Sequence, residues 1–129
     1  MTHELAALAA CALIHVVIMA MAQQRLTRDA GVEKNTSPRD DMPELSRDTK
    51  RLRRALDNHV ENIGLFITAV VLVQFTGQNS WFTALCAWTY VGARALYVPA
   101  YLYGWAPWRS LIFTLGLLAT LAMIVAAVL

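Results

Sequence analysis

The stretch Arg54-Ala55-Leu56-Asp57-Asn58-His59-Val60-Glu61-Asn62 opens a segment that turns almost wholly apolar from Ile63 to Phe75. Arg54, Asn58 and Glu61 stand at i, i+4 and i+7, a spacing that on a helix places all three on one face. His59 lies about 100° round the wheel from Asn58 and points elsewhere. Polar and ionisable groups are costly inside a membrane helix, so they face the interior of a bundle and mark a site. The stretch therefore predicts a lipid-embedded helical bundle that binds something polar near one membrane face.

Outward from this stretch the apolar residues fall in four blocks. Hydrophobic residues make up 57% of the 129, too apolar a balance for an ordinary soluble domain, and the length fits a single domain. Leu5 to Ala22 can just cross a hydrocarbon core, which takes roughly 17–25 residues. Ala20-Met21-Ala22 imitates a signal-peptidase site, but Met1-Thr2-His3-Glu4 lacks the positive charge of a signal peptide, so the block reads as a retained span. Gln23 to about Lys50 is polar, with Gly31, Pro38 and Pro43, and reads as an irregular loop with room for a short helical turn. After the second block, Thr76-Gly77-Gln78-Asn79-Ser80 is a turn. Trp81 to about Tyr103 is the third block, with aromatic residues at both ends in the manner of interfacial belts and Pro99 near its close. Gly104-Trp105-Ala106-Pro107 turns the chain into the fourth, Trp108 to Leu129. The expectation is an all-α integral membrane four-helix bundle forming one domain, 1–129. Its helices span about 4–24, 50–76, 81–103 and 108–129, with a long polar loop at about 25–49.

Of 11 Lys and Arg residues, all but Arg94 and Arg109 lie between Arg25 and Arg54. The positive-inside rule then puts the long loop in the cytoplasm and both termini on the opposite side. Acidic residues are interleaved with these cations and no aromatic residue lies among them to stack a base, which argues against a nucleic-acid partner. Cys11 and Cys86 both sit in apolar blocks outside any C-x-x-C pattern and read as buried free thiols. His3, His15 and His59 lack metal-ligand spacing, so no metal is expected, and His15 reads as a packed, hydrogen-bonded histidine.

Depth along the helices assembles the site. Glu61 lies roughly 10 Å beyond Arg54, and Arg94 roughly 10–14 Å from the Tyr101–Tyr103 end of the third helix, at about 1.5 Å per residue. An intramembrane acid and base in one slab are expected to face each other directly or through a ligand. Arg94, Tyr97 and Tyr101 share a face at i, i+3 and i+7, and Arg109 stands at the mouth of the fourth helix. Asn58, Glu61, Arg94, Tyr97, Tyr101 and Arg109 can thus line one cleft open to the cytoplasm. A plainer reading stands beside it: Arg51, Arg53 and Arg54 as interfacial anchors, the tyrosines as belt residues, and Glu61–Arg94 as a structural pair. No catalytic triad or phosphate-cradling glycine loop is present. Any chemistry here would come from a bound cofactor. A thiol cofactor suits these residues, with arginines for its carboxylates, Glu61 for its amine, and a cation to favour thiolate.

Residues 54–61, R-A-L-D-N-H-V-E, resemble the R-A-x-x-N-x-x-E signature of the MAPEG superfamily, the membrane-associated proteins in eicosanoid and glutathione metabolism. The loop text Ser37-Pro38-Arg39-Asp40 with Leu45-Ser46 is similar to bacterial members. Ala93-Arg94-Ala95-Leu96-Tyr97-Val98-Pro99-Ala100-Tyr101 resembles the third-helix motif, and Ala106-Pro107-Trp108-Arg109-Ser110 the start of the fourth helix in the prostaglandin E synthase branch. The resemblance implies a left-handed bundle assembled as a homotrimer in the bacterial inner membrane. It implies glutathione bound between subunits, among Arg54, Asn58, Glu61, Arg94, Tyr97, Tyr101 and Arg25. Arg109 would stabilise the thiolate, with Ser110 beside it. The implied activity is that of a glutathione transferase or peroxidase acting on hydrophobic electrophiles or lipid peroxides drawn from the bilayer. Some members bind lipids without catalysis, so a non-catalytic lipid-binding or scaffold protein is the alternative. Three departures qualify the match. Asp57 stands where some eicosanoid enzymes carry a basic residue, which would lower glutathione affinity. Tyr97 replaces the histidine of the prostaglandin branch, as in the leukotriene-forming branch. The segment from Tyr101 to Arg109 is a residue shorter than in the prostaglandin branch.

Overall fold

Local chemistry sets where each helix begins and ends. In the computed structural model, which describes all residues Met1–Leu129, the Thr2 side chain accepts the Leu5 N–H at 3.3 Å and starts α1, His3–Ala30. Gly31, at φ 87°, stops it. A five-residue helix, α2 (Val32–Thr36), follows at once. Ser46 caps α3, Arg47–Thr76, by accepting the Thr49 N–H at 3.3 Å, and Gly77 closes it in the left-handed region. Ser80 and Thr83 cap each other reciprocally at the start of α4, Trp81–Leu102. Pro107 precedes α5, Trp108–Val128.

Two expectations need correction. The chain forms five helices rather than four, and the polar stretch expected as loop 25–49 is largely helical at both ends. The last turns of α1 reach Ala30 because Leu26 keeps the buried face of the helix going while Arg28 suits its C-terminal dipole. The first turn of α3 starts at Arg47, and Thr49 and Leu52 are fully buried. Asp29, beyond the apolar part of α1, ties these two ends together by accepting the Ser46 backbone N–H at 2.9 Å. That bond, with side-chain bonds from Thr49 and Ser46, holds the Asp29 carboxyl down to about 2.

By length and apolarity, three helices qualify to cross a membrane: α1, α3 and α5. The expected fourth, α4, is not among them. Its 22 residues are long enough, but Arg94 and a high content of Trp and Tyr lower its apolarity. Outward faces throughout carry bare large hydrophobics, among them Leu13, Val17, Phe75, Leu96, Leu118 and Val125. So much exposed apolar surface suits hydrocarbon and not water.

The apolar core lies toward the α3–α4 turn. Ala7 and Cys11 of α1, Phe66, Ala69, Val70 and Val73 of α3, Cys86, Ala87 and Tyr90 of α4, and Ala119, Met123 and Ala127 of α5 form one cluster. Phe66 stacks on Tyr90 at 4.0 Å between ring centres. Gly116 allows α5 to approach α4 closely, since a Cβ there would lie 3.3 Å from that of Ala93. Both cysteines are free and buried, as expected. At the far end of this half, buried Glu4 accepts hydrogen bonds from Asn79, at 2.9 Å, and from Thr83. Toward the other end the interior changes from apolar to polar.

Candidate functional site

A cleft of about 430 Å³ opens between α3, α4 and α5 at the end away from that core. Helix α3 contributes Arg54, Asp57, Asn58 and Glu61; α4 contributes Tyr97 and Tyr101; α5 contributes Arg109, Ser110, Phe113 and Thr114. The i, i+4, i+7 stripe read from sequence thus forms one wall. Its volume is in the range of small-molecule sites.

The charges of the cleft are not used up among themselves. The four ion pairs of the structure join Arg28 to Asp29, Lys34 to Asp41, Arg47 to Asp48 and Lys50 to Glu44. Arg54, Asp57, Glu61 and Arg109 take part in none of them. Arg109 lies with its guanidinium carbon 4.6 Å from the centre of the Tyr101 ring, a cation–π contact at the first turn of α5. Tyr101 in turn leans on Tyr97 at 5.9 Å between ring centres, and Tyr97 on Phe113 at 6.3 Å. Tyr97 is buried, so it belongs to the cleft rather than to an interfacial belt.

Arg94 is placed otherwise than expected. It does not contact Glu61: no ion pair joins them, Arg94 is only 2% exposed, and Glu61 is exposed. Counting residues along a helix gives depth but says nothing about direction round it. Arg94 turns inward, behind the cleft wall. Its Nη1 donates to Asn58 Oδ1 at 3.0 Å and its Nε to His59 Nδ1 at 3.3 Å, while its guanidinium lies 4.6 Å from the Tyr97 ring centre. Arg25, on α1, does not line the cleft within one chain.

Several contributors went unnoticed in the sequence. Phe113 and Thr114 line the cleft one turn beyond Ser110, a place the i+3 and i+4 positions after Arg109 and Ser110 could have indicated. Arg51, read as a surface anchor, donates to the Leu102 carbonyl at 3.1 Å and so ties α3 to the end of α4. His59 is fully buried, and its ring meets that of His15 edge-on at 4.9 Å; His15 is therefore packed, but by this contact and not through a side-chain hydrogen bond.

The donor set can hold a zwitterion with more than one carboxylate. Two guanidinium groups suit carboxylates, two carboxylates suit an ammonium group, and the rings of Tyr97, Tyr101 and Phe113 suit an apolar neighbour. This chemistry fits a small acidic peptide bearing a free amine. In comparison with known proteins, a sequence model described as the MAPEG family matches residues 4–129. No curated protein matches the chain.

Proposed function

Because the chain belongs to the MAPEG family and is an integral membrane protein, we propose that it is a glutathione transferase or peroxidase, with its four long helices packed as a left-handed bundle beside the short α2, and working as a homotrimer. Its second substrate would be a hydrophobic electrophile or lipid peroxide that enters from the membrane. The cleft would open to the cytoplasm of a bacterial inner membrane, with both termini on the other side. The observation that carries the reading is the cleft itself: unpaired charges of both signs beside an apolar wall, lined by the motif residues Arg54, Asn58, Glu61, Tyr97, Tyr101, Arg109 and Ser110.

Bound glutathione would supply a thiol nucleophile. The chain's residues would do the rest. Arg54 and the amide of Asn58 would hold carboxylates, and Glu61 the ammonium group. Arg109 stays charged at any ordinary pH and sits at the N-terminal end of α5, where the helix dipole also favours an anion. It would stabilise the thiolate that only a minor fraction of a free thiol adopts at neutral pH. Ser110 would assist with a weaker hydroxyl donor. Arg25 would reach a cleft only from a neighbouring subunit, which is why the trimer belongs to the proposal.

Ultraviolet difference spectroscopy on the purified protein tests this. Adding glutathione to the wild type is expected to raise thiolate absorbance. Arg109→Ala is expected to keep much of the glutathione affinity but lose the thiolate signal and most turnover, with Arg109→Lys recovering only part. Ser110→Ala should matter less. Unchanged thiolate in Arg109→Ala would remove this arginine from the mechanism. Tight lipid binding with no thiolate signal in the wild type would favour a non-catalytic lipid-binding protein of the same architecture.

A further inference from the structure

Asn58 and His59 are consecutive, so on α3 they point in directions about 100° apart. Asn58 faces the cleft and His59 faces the interior. The Arg94 guanidinium reaches both, one nitrogen to each. Arginine only donates, whereas a side-chain amide has one accepting and one donating end. Asn58 must therefore turn its oxygen back to Arg94, and its NH2 group makes no bond within the chain. From the cleft, Asn58 is a donor.

What fixes Arg94 is the second bond. The guanidinium is buried with no carboxylate partner, and its Nη2 has no hydrogen-bond partner. Its hold rests on Asn58, on His59 and on the Tyr97 ring. An imidazole that accepts at Nδ1 carries its proton on Nε2, and that nitrogen is also buried without a hydrogen-bond partner, while the His59 ring as a whole meets that of His15 edge-on. We infer that His59 is a positioning residue of the cleft: it anchors Arg94, which orients the Asn58 amide so that the site selects a ligand acceptor such as a carboxylate or peptide carbonyl at that wall. Arg94 is then a positioning residue as well, and not a direct ligand contact. The consequence for ligand binding rests on the proposed glutathione site; the orientation of the three side chains does not.

The experiment has two arms. Nitrogen-15 spectra of the ligand-free protein report the His59 tautomer. The expected result is a proton on Nε2 and an accepting Nδ1; a proton on Nδ1 would overturn the inference whether or not glutathione binds. The second arm measures the glutathione dissociation constant by calorimetry in a double-mutant cycle. His59→Phe, which keeps a ring without an acceptor, should raise it about five- to tenfold, as expected when the Asn58 bond to the ligand is misaligned and weakened but not removed. In an Asn58→Leu background the same change should have almost no effect, because the amide it orients is gone. His59→Asn, which keeps an acceptor, should stay near wild type. Equal losses in both backgrounds, or no loss in either, would refute the relay. His59→Leu is the second acceptor-free variant, and failure of both to assemble would assign His59 to folding alone. Absence of glutathione binding by the wild type would refute the proposed function while the tautomer result still decides the relay.

Discussion

Glu61 separates two readings of the cleft. It is exposed and joins no ion pair, so its carboxylate contributes little to holding helices together. If it receives the ligand's ammonium group, Glu61→Gln removes a charged hydrogen bond that is worth about 1.5–3 kcal/mol, or roughly ten- to a hundredfold in dissociation constant. Calorimetry with glutathione should show that loss while the thermal unfolding midpoint in detergent hardly moves. Normal binding by a variant that assembles poorly would mean that Glu61 is structural. The stripe Arg54, Asn58 and Glu61 was legible in the sequence because helical spacing fixes a face. The orientation of Arg94 was not. Residue counting gives depth along α4, but its direction depends on how α4 is rotated against α3, and there it meets Asn58 and His59.

At the scale of the helices, hydropathy located the apolar spans and missed their polar extensions. A helix continues past the lipid as long as its buried face and caps continue. Leu26, Gly31, Ser46 and Leu52 do this for the facing ends of α1 and α3. The Asp29–Ser46 bond between these ends makes a pH prediction. The folded carboxyl titrates at about 2, below the roughly 3.9 of an unfolded aspartate. Its stabilising effect is therefore complete above the unfolded value and is lost as pH falls through about 2. Asp29→Ala should lower the unfolding midpoint by a constant amount above pH 5, and the gap from wild type should close toward pH 2. A gap that stays constant down to pH 2 would show that the carboxylate charge is not what matters there.

For the whole molecule, the sequence revealed an all-helical membrane protein with a polar site at one end, because blocks of apolar residues and a clustered set of cations leave strong signals. The short helix α2 left only the expectation of a helical turn somewhere in the polar loop, because five residues are too few for a periodic pattern to fix its place. Which side of the membrane the cleft faces is a matter for topology. With nearly all cations between Arg25 and Arg54, reporters fused after Leu129 should be active outside the cytoplasm. Cytoplasmic activity would reverse the orientation of the cleft. The placement of the core has its own consequence. Phe66, Tyr90, Met123 and the Glu4 bonds to Asn79 and Thr83 all lie in the half from mid-helix to the turn of α3 into α4, while the Arg54–Arg109 end holds the polar cleft. The helices are a pair of tongs riveted near the tip of the handle. With the apolar cluster at the rivet, local opening is expected to cost less at the jaws, and the Arg51–Leu102 bond is the tie that sets how readily they part to take up or release a ligand.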